Sequence, residues 1–494
     1  MLDASNSLVL GGVTLSGNYE IEDAVYHGLD REGAEAVYWN PANLYVTLNT
    51  LGVGNAAQVA NAGDTITITS GTFVGEINID RPLTVRGQGV STILQSPDDI
   101  TQLMDGKYYP ILMVQNTENV IIEDLVVDGA GKGNANYKFV GVGLYNADVV
   151  IQRISILNVE DTPFSGSQHG VGLYGIFKDG VRHFVTVQNV LVEDFQKNAM
   201  AFNSVENTPV VLDVVGNTVI GKGATDVTAQ NGIQVYGYAI VANIRDNVIR
   251  GIAYDNTNAA TKWVASSILN YYANVTVEGN NISEGHVGVY NYDGSGTIRD
   301  NVITIEKVGV YAFGIIATDP PQAVPSGIDV PDQQAGRTDR LAALQVEVLD
   351  NELTFAGTDN TDTYGIEADA GYGPDDLTVH IEGNIIDGFD YGLVIYQDAG
   401  DEGVFTDVSA NYNCLYNTGS YGLWTNEDNI GLTIDALHNF WGHATGPFHP
   451  DLNPNGKGAA VSETYVDFDP WSSVCEKRVV KYETNFYIPL FVGN

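Results

Sequence analysis

Two carboxylates set two residues apart, in Tyr364-Gly365-Ile366-Glu367-Ala368-Asp369, have the best spacing for acid–base chemistry in this chain. On a strand, residues i and i+2 share a face, and their side chains stand about 6.6 Å apart. That separation falls within the range of about 6.5–9.5 Å for a general acid and a general base flanking a water in an inverting glycosidase. Asp369 paired with Asp398 would instead offer hard oxygens to Ca²⁺. In a lyase, such a cation would acidify a uronate α-proton for removal by a nearby Lys or Arg. Tyr364, Tyr372 and Tyr396 would wall the trough. The competing explanation is an acidic surface on an acidic protein, because 62 Asp and Glu stand against 22 Lys and Arg.

A recurring segment of the form Gly, apolar, x, apolar, aromatic would position these groups. Copies begin at Gly141, Gly170, Asn198, Gly232, His286, Gly365, Gly392 and Gly422. Side chains alternate faces along a strand, so apolar second and fourth residues pointing inward send the third and fifth outward. The expected outward column is Tyr145, Tyr174, Phe202, Tyr236, Tyr290, Asp369, Tyr396 and Asn426, with Trp424 beside it. Rings repeating about every 4.8 Å would suit a polysaccharide, with sugar faces on the aromatics and hydroxyls on Asn and Asp. Ring ladders also stabilise repeats with no ligand at all.

A second repeat explains why such a column would exist. A small or acidic residue, Asn, any residue and a branched apolar residue recur around Asn217, Asn247, Asn280, Asn301, Asn351 and Asn384. Weaker copies sit at Asn189, Asn413 and Asn439, and successive spacings are 28, 30, 33, 21, 50, 33, 29 and 26. Such a period marks a solenoid whose units bury apolar faces only against their neighbours. Short runs of Val, Ile, Leu and Tyr alternating with polar residues make those units strands. An Asn recurring inside a stack of parallel strands can donate to and accept from the next Asn. Over roughly residues 60 to 441 the chain resembles the right-handed parallel β-helix proteins of the pectin-lyase-like superfamily. The expected fold is therefore all-β, with a lead-in over 1–50, the β-helix over 51–441, and a cap and tail over 442–494.

Composition and the flanks add to this. A net charge of −40 repels nucleic acid and anionic membrane surfaces. No apolar run reaches the roughly 18 residues needed to span a bilayer. With no secretory leader at its start, the chain reads as a mature form or a piece of a longer polypeptide. Cys414 and Cys475 are expected either to bridge the last coils to the tail or to remain two half-buried thiols, and the bridge favours an extracellular or cell-surface location. Leu51 to Ala62 reads as a mildly helical or irregular stretch, and the open end of the first coil needs a cap. A Pro-rich insertion runs from about Thr318 to Arg340. The apolar tail Asn485–Val492 offers a strand for self-association.

The closing segments Asn439-Phe440-Trp441-Gly442 and Thr445-Gly446-Pro447-Phe448-His449-Pro450 resemble the terminal motif of large extracellular, adhesin-like β-helix proteins. Polygalacturonase signatures are absent. The mannuronan epimerase motif is approached at Tyr364-Gly365 but lacks its Pro-His. Two functions follow: a polysaccharide-binding protein that also cleaves a glycan at Glu367 and Asp369 as hydrolase or lyase, or a non-catalytic, self-associating surface rod.

Overall fold

The computed structural model describes residues 8–10, 12–255, 257, 265–308, 312–317, 344–370, 376–397, 404–426 and 431–476. The Pro-rich insertion, Tyr372, Asp398 and the apolar tail lie outside the described residues. The chain is an all-β, right-handed parallel β-helix. Each coil contributes one strand to each of three parallel sheets. One coil runs Asn231–Tyr236, Ile240–Arg245 and Val248–Arg250, and each strand pairs in parallel with its counterpart in the next coil. Alternation builds the interior: Ile240, Ala242 and Ile244 are buried while Val241 and Arg245 face solvent. The inward Ile, Val and Leu of every coil join one continuous core.

The Asn repeat is a ladder inside the turn between the second and third sheets. The amide of Asn247 donates to Asn280 Oδ1 at 2.9 Å and to the Val214 carbonyl at 3.0 Å, and its backbone N–H donates to the same Oδ1. The pattern continues through Asn301, Asn351, Asn384, Asn413 and Asn439, all at most 1% exposed. Asn301 bonds directly to Asn351, so the 50-residue spacing leaves the stack in register. Asn189 is corrected: Val190 takes the ladder position, its N–H donating to Asn217 Oδ1. Asn189 has φ 54°, as do its counterparts Asp246 at 58° and Gly216 at 64°. That left-handed conformation favours Gly, Asn and Asp, which is why the repeat begins with a small or acidic residue.

Both ends are closed, and the boundaries shift outward from 51 and 441. Asn43–Val46 already pairs with Asp64–Ile68, so the stack begins within the lead-in. Val466–Asp467 pairs with Ile434–Asp435 beyond residue 441. The helix Val53–Val59 covers the first coil. Trp441 is fully buried against Gly422 at the other end. Cys414 and Cys475 form a disulfide with Cα atoms 5.5 Å apart. In the loop-closure model a bridge across such a long loop stabilises the fold by about 4 kcal/mol.

Candidate functional site

The site sheet contains Phe139–Gln152, Val171–Phe177, Asn198–Ser204, Asn231–Tyr236, Ser266–Tyr271, Val287–Tyr292, Ala312–Ile316, Thr363–Ala370, Tyr391–Gln397 and Tyr421–Thr425. Several of its strands carry glycine where the backbone of the next coil comes close, while Ala199 and Ser267 hold the same position in two others. A Cβ on Gly365 would stand 2.6 Å from the Gly392 carbonyl oxygen, and one on Gly314 would stand 2.6 Å from that of Gly365. This stacking of glycines produces the Gly-initiated repeat and fixes the register of the columns that follow.

That register differs from the expected one in three copies. Val142 pairs with Leu173 and Gly143 with Tyr174, so Tyr145 lies beside Ile176 rather than beside Tyr174. This copy is displaced by two residues, which keeps Tyr174 on the outward face but moves it to the neighbouring column. Tyr290 is displaced in the same way, beside Leu269 and Ile316. Phe202 is displaced by one and pairs with Gly175 and Val235, which turns it into the core with no exposure. A one-residue slip exchanges the faces of a strand and a two-residue slip does not.

Facing outward does not leave all of these rings accessible. Tyr174 is buried, with Asn203 donating to its hydroxyl at 2.9 Å and Tyr108 edge-on at 4.9 Å. Tyr236 and Tyr290 are buried in a tyrosine cluster with Tyr271, Tyr272 and Tyr292. Burial there raises the pKa of the Tyr272 hydroxyl. Tyr145 is half-buried, with the Lys178 ammonium 5.6 Å from its ring centre. These rings belong to the packing of the middle coils, so the expected sugar-facing column does not extend across them.

The later coils are more open. Tyr396 and Trp424 are half-buried and stack with centroids 6.2 Å apart. A further column was missed: Phe313, Tyr364, Tyr391 and Tyr421 stack in sequence at 4.9, 5.3 and 6.1 Å with rings 10–17° from parallel. Its signal was present as an aromatic residue before each bend glycine, in Phe313-Gly314, Tyr364-Gly365, Tyr391-Gly392 and Tyr421-Gly422. The inner rings of this column cover one another's faces and present edges and hydroxyls. Asn426 holds the coil together: its Oδ1 accepts from the Gln397 N–H at 3.0 Å and its amide donates to the Gln397 carbonyl. Its expected role on a sugar hydroxyl is corrected accordingly.

Glu367 and Asp369 lie on the outward face among these rings. Glu367 is flanked by Ile316 in the preceding coil and by Val394 in the next, while Asp369 lies beside Tyr396. Asp369 is 3% exposed. Glu367 is half-buried as a residue, yet its Oε2 is shut off from solvent and has no hydrogen-bond partner among the described residues. Burial pushes its carboxyl up to about 7. Isoleucine and valine on either side account for this, since neither can solvate a charge. Lys197 gives a contrast: it is also buried and pushed down to about 7, but it lies within a turn and donates to the Ala229 carbonyl.

Of the two expected calcium ligands, Asp369 lies beside Tyr396 and Asp398 is outside the described residues. One group of three metal-type side chains occurs among the described residues, Glu22, His27 and Asp30, in the lead-in. There the Val37 N–H donates to His27 Nδ1 at 3.0 Å, which puts the proton on Nε2, and Nε2 donates to Glu22 at 2.8 Å. That is a hydrogen-bonded network with no free ring nitrogen. His449 likewise caps: its Nδ1 accepts from the N–H groups of Asp451 and Leu452.

No protein-family model matches the chain, and no curated protein matches it in sequence. Solved structures resemble it in winding. A mannuronic acid-specific family 6 polysaccharide lyase from human gut microbiota is 14% identical, with 81% of this chain and 87% of that one covered, at a TM-score of 0.47. The catalytic domain of a GH87 α-1,3-glucanase in complex with nigerose is 11% identical, covering 83% and 71%, at 0.47. An alginate lyase from Paenibacillus sp. str. FPU-7 is 16% identical, covering 69% and 94%, at 0.36. At such identities and overlaps the substrates of these proteins remain their own.

Proposed function

We propose that this protein is an extracellular polysaccharide-binding β-helix that cleaves a glycan at Glu367 and Asp369. The observation that carries the reading is the Glu367 carboxyl, with a buried, unpartnered Oε2 and a pKa raised to about 7, two residues from Asp369 on one outward strand face. A buried carboxyl oxygen left unsatisfied costs stability. Paired titratable groups in unlike environments are the usual arrangement for an acid and a base. Glu367, whose carboxyl is raised to about 7, keeps its proton at pH values where an ordinary carboxyl is ionised and is the proton donor to the leaving oxygen. Asp369 is the acceptor. Tyr396 and Trp424 form a stacked platform beside them, and the hydroxyl edges of Tyr364, Tyr391 and Tyr421 border the same face. The disulfide agrees with an oxidising location, and no described helix is long and apolar enough to cross a membrane.

The test is a screen of purified protein against polysaccharides, scoring new reducing ends and unsaturated uronate absorbance, alongside Glu367→Gln and Asp369→Asn. Product abolished by either substitution, with unfolding midpoints unchanged, supports the assignment. Product that survives both substitutions refutes it. Absence of any product, with concentration-dependent polymers lost on trimming the chain after Cys475, would point to the surface rod instead.

A further inference from the structure

We propose that the first strand of the third sheet accepts an added strand, residues 485–492 of a second copy of this chain, so that rods join end to end. The acceptor lies at the first coil, far from Glu367, and is separate from the glycan site.

Gly71–Val74 ends the twelve-stranded third sheet, with no described strand on its other side. The backbone N–H groups of Gly71 and Gly75 donate toward the next coil, to the carbonyls of Ser91 and Gln95 at 2.8 and 3.1 Å. Neighbouring residues of a strand turn their main-chain groups to opposite edges, so those of Thr72 and Val74 point away from the stack. A cavity of about 250 Å³ opens between this strand and the first turn of the helix Val53–Val59, with Leu51, Val53, Phe73, Val74 and Ile77 in its lining. Leu51 and Val74 are 52% and 62% exposed, and Leu48, 63% exposed, lies against Gly71. An open sheet edge beside an apolar cavity is what strand addition needs, because main-chain bonds supply affinity and the cavity takes a side chain.

The sequence carries a matching donor toward its other end. Residues 485–492, which lie outside the described residues, read Asn-Phe-Tyr-Ile-Pro-Leu-Phe-Val. With Phe486, Ile488 and Leu490 bonded to the edge, Pro489 turns to the outer side, where a missing N–H is tolerated.

Reach requires that this strand come from another copy. The disulfide fixes Cys475 to Cys414, in the last strand of the same sheet. Twelve strands about 4.8 Å apart put the first strand roughly 50 Å from the last. The eleven positions from Cys475 to Phe486 span at most about 40 Å when fully extended. Charge agrees with the pairing: Lys477, Arg478 and Lys481 precede the apolar run, while Glu32 and Glu76 line the cavity. Donor and acceptor are different surfaces at opposite ends, so the contact does not close on itself and propagates into a filament.

The experiment compares the full chain with two variants, one ending at Glu476 and one carrying Val74→Lys, by sedimentation velocity over a wide concentration range. Val74 is exposed, so its replacement should leave the unfolding midpoint unchanged. Expected are filaments of the full chain that lengthen with concentration, and association weakened at least ~10-fold in each variant alone, since a lost donor strand and a lysine on the edge act on the same contact. Mixed together, the two variants should form a one-to-one dimer, because one still supplies the tail and the other the open edge. Glycan turnover, measured in parallel, should be equal in all three chains, and it alone decides the glycan reading. A full chain that stays monomeric, filaments that survive loss of the tail, or variants that form no dimer on mixing would each overturn the proposal. Association abolished by Val74→Lys but kept without the tail would give the edge to another segment, residues 1–7 among them, and would overturn it as well.

Discussion

The ladder inside the coils and the face outside them treat buried polar groups in opposite ways. Within the turn, Asn280 is fully engaged: its Oδ1 accepts twice from Asn247, and its amide donates to Asn301 and to the Ile244 carbonyl. On the outer face, the Glu367 Oε2 is buried without a partner. A satisfied polar group specifies a fold, whereas an unsatisfied one is tolerated where another requirement keeps it. Unpartnered buried atoms occur on packing residues too, Trp441 Nε1 among them, so Glu367 is set apart by its raised proton affinity and its place two residues from Asp369 on an outward face.

The strongest way to break this comparison is to exchange the two kinds of residue. Glu367→Gln and Asp369→Asn should each lower glycan turnover by about 10²–10⁴-fold, the usual worth of a general acid or base. Urea midpoints should stay within error of the parent or rise for Glu367→Gln. A comparable fall in stability would place these carboxylates with the ladder. Asn280→Ala should do the reverse: it strands donors on Asn247 and the Ile244 carbonyl, and at about 1–3 kcal/mol for each unsatisfied group it should cost several kcal/mol in urea unfolding. Turnover per folded molecule should be unchanged.

The rings allow a finer division. Tyr174→Ala removes a buried ring and should cost about 3–5 kcal/mol of stability. Trp424→Ala removes a half-buried one, and its main effect should be weaker glycan retention, worth about 1 kcal/mol. Equal stability losses from the two would show that the later coils are packed like the middle ones.

The smallest effect concerns pH. Burial raises the Glu367 carboxyl from 4.5 to about 7 on folding, so the folded chain holds a proton that the unfolded chain releases. The associated stability is fully present below pH 4.5 and is lost as pH rises through about 7. The parent should therefore lose stability relative to Glu367→Gln across that window. Its turnover should fall as pH rises through about 7, where the folded donor deprotonates. A difference between the two chains that does not change with pH would mean that the carboxyl is solvated.

The repeats made most of the fold legible. Gly216, Asp246 and Gly279 precede their ladder Asn residues because a left-handed residue is needed there, and that demand is local enough to be written into the sequence. The carboxylate pair was legible for the same kind of reason, since i and i+2 share a strand face whatever surrounds them. Ring register was not. Gly141-Val142-Gly143 and Gly170-Val171-Gly172 look alike, yet Val142 pairs with Leu173. Alternating strings match themselves after a two-residue slip, and only stacking between coils selects one match.

The sequence by itself determined the coil, its Asn ladder and the two carboxylates, because each depends on backbone conformation or on spacing along one strand. Only the tertiary structure decided that Phe202 points inward, that Tyr174, Tyr236 and Tyr290 are buried, and that Glu367 sits between Ile316 and Val394. Exposure and proton affinity depend on neighbours about thirty or more positions away, and no local pattern in the chain encodes which of them will meet.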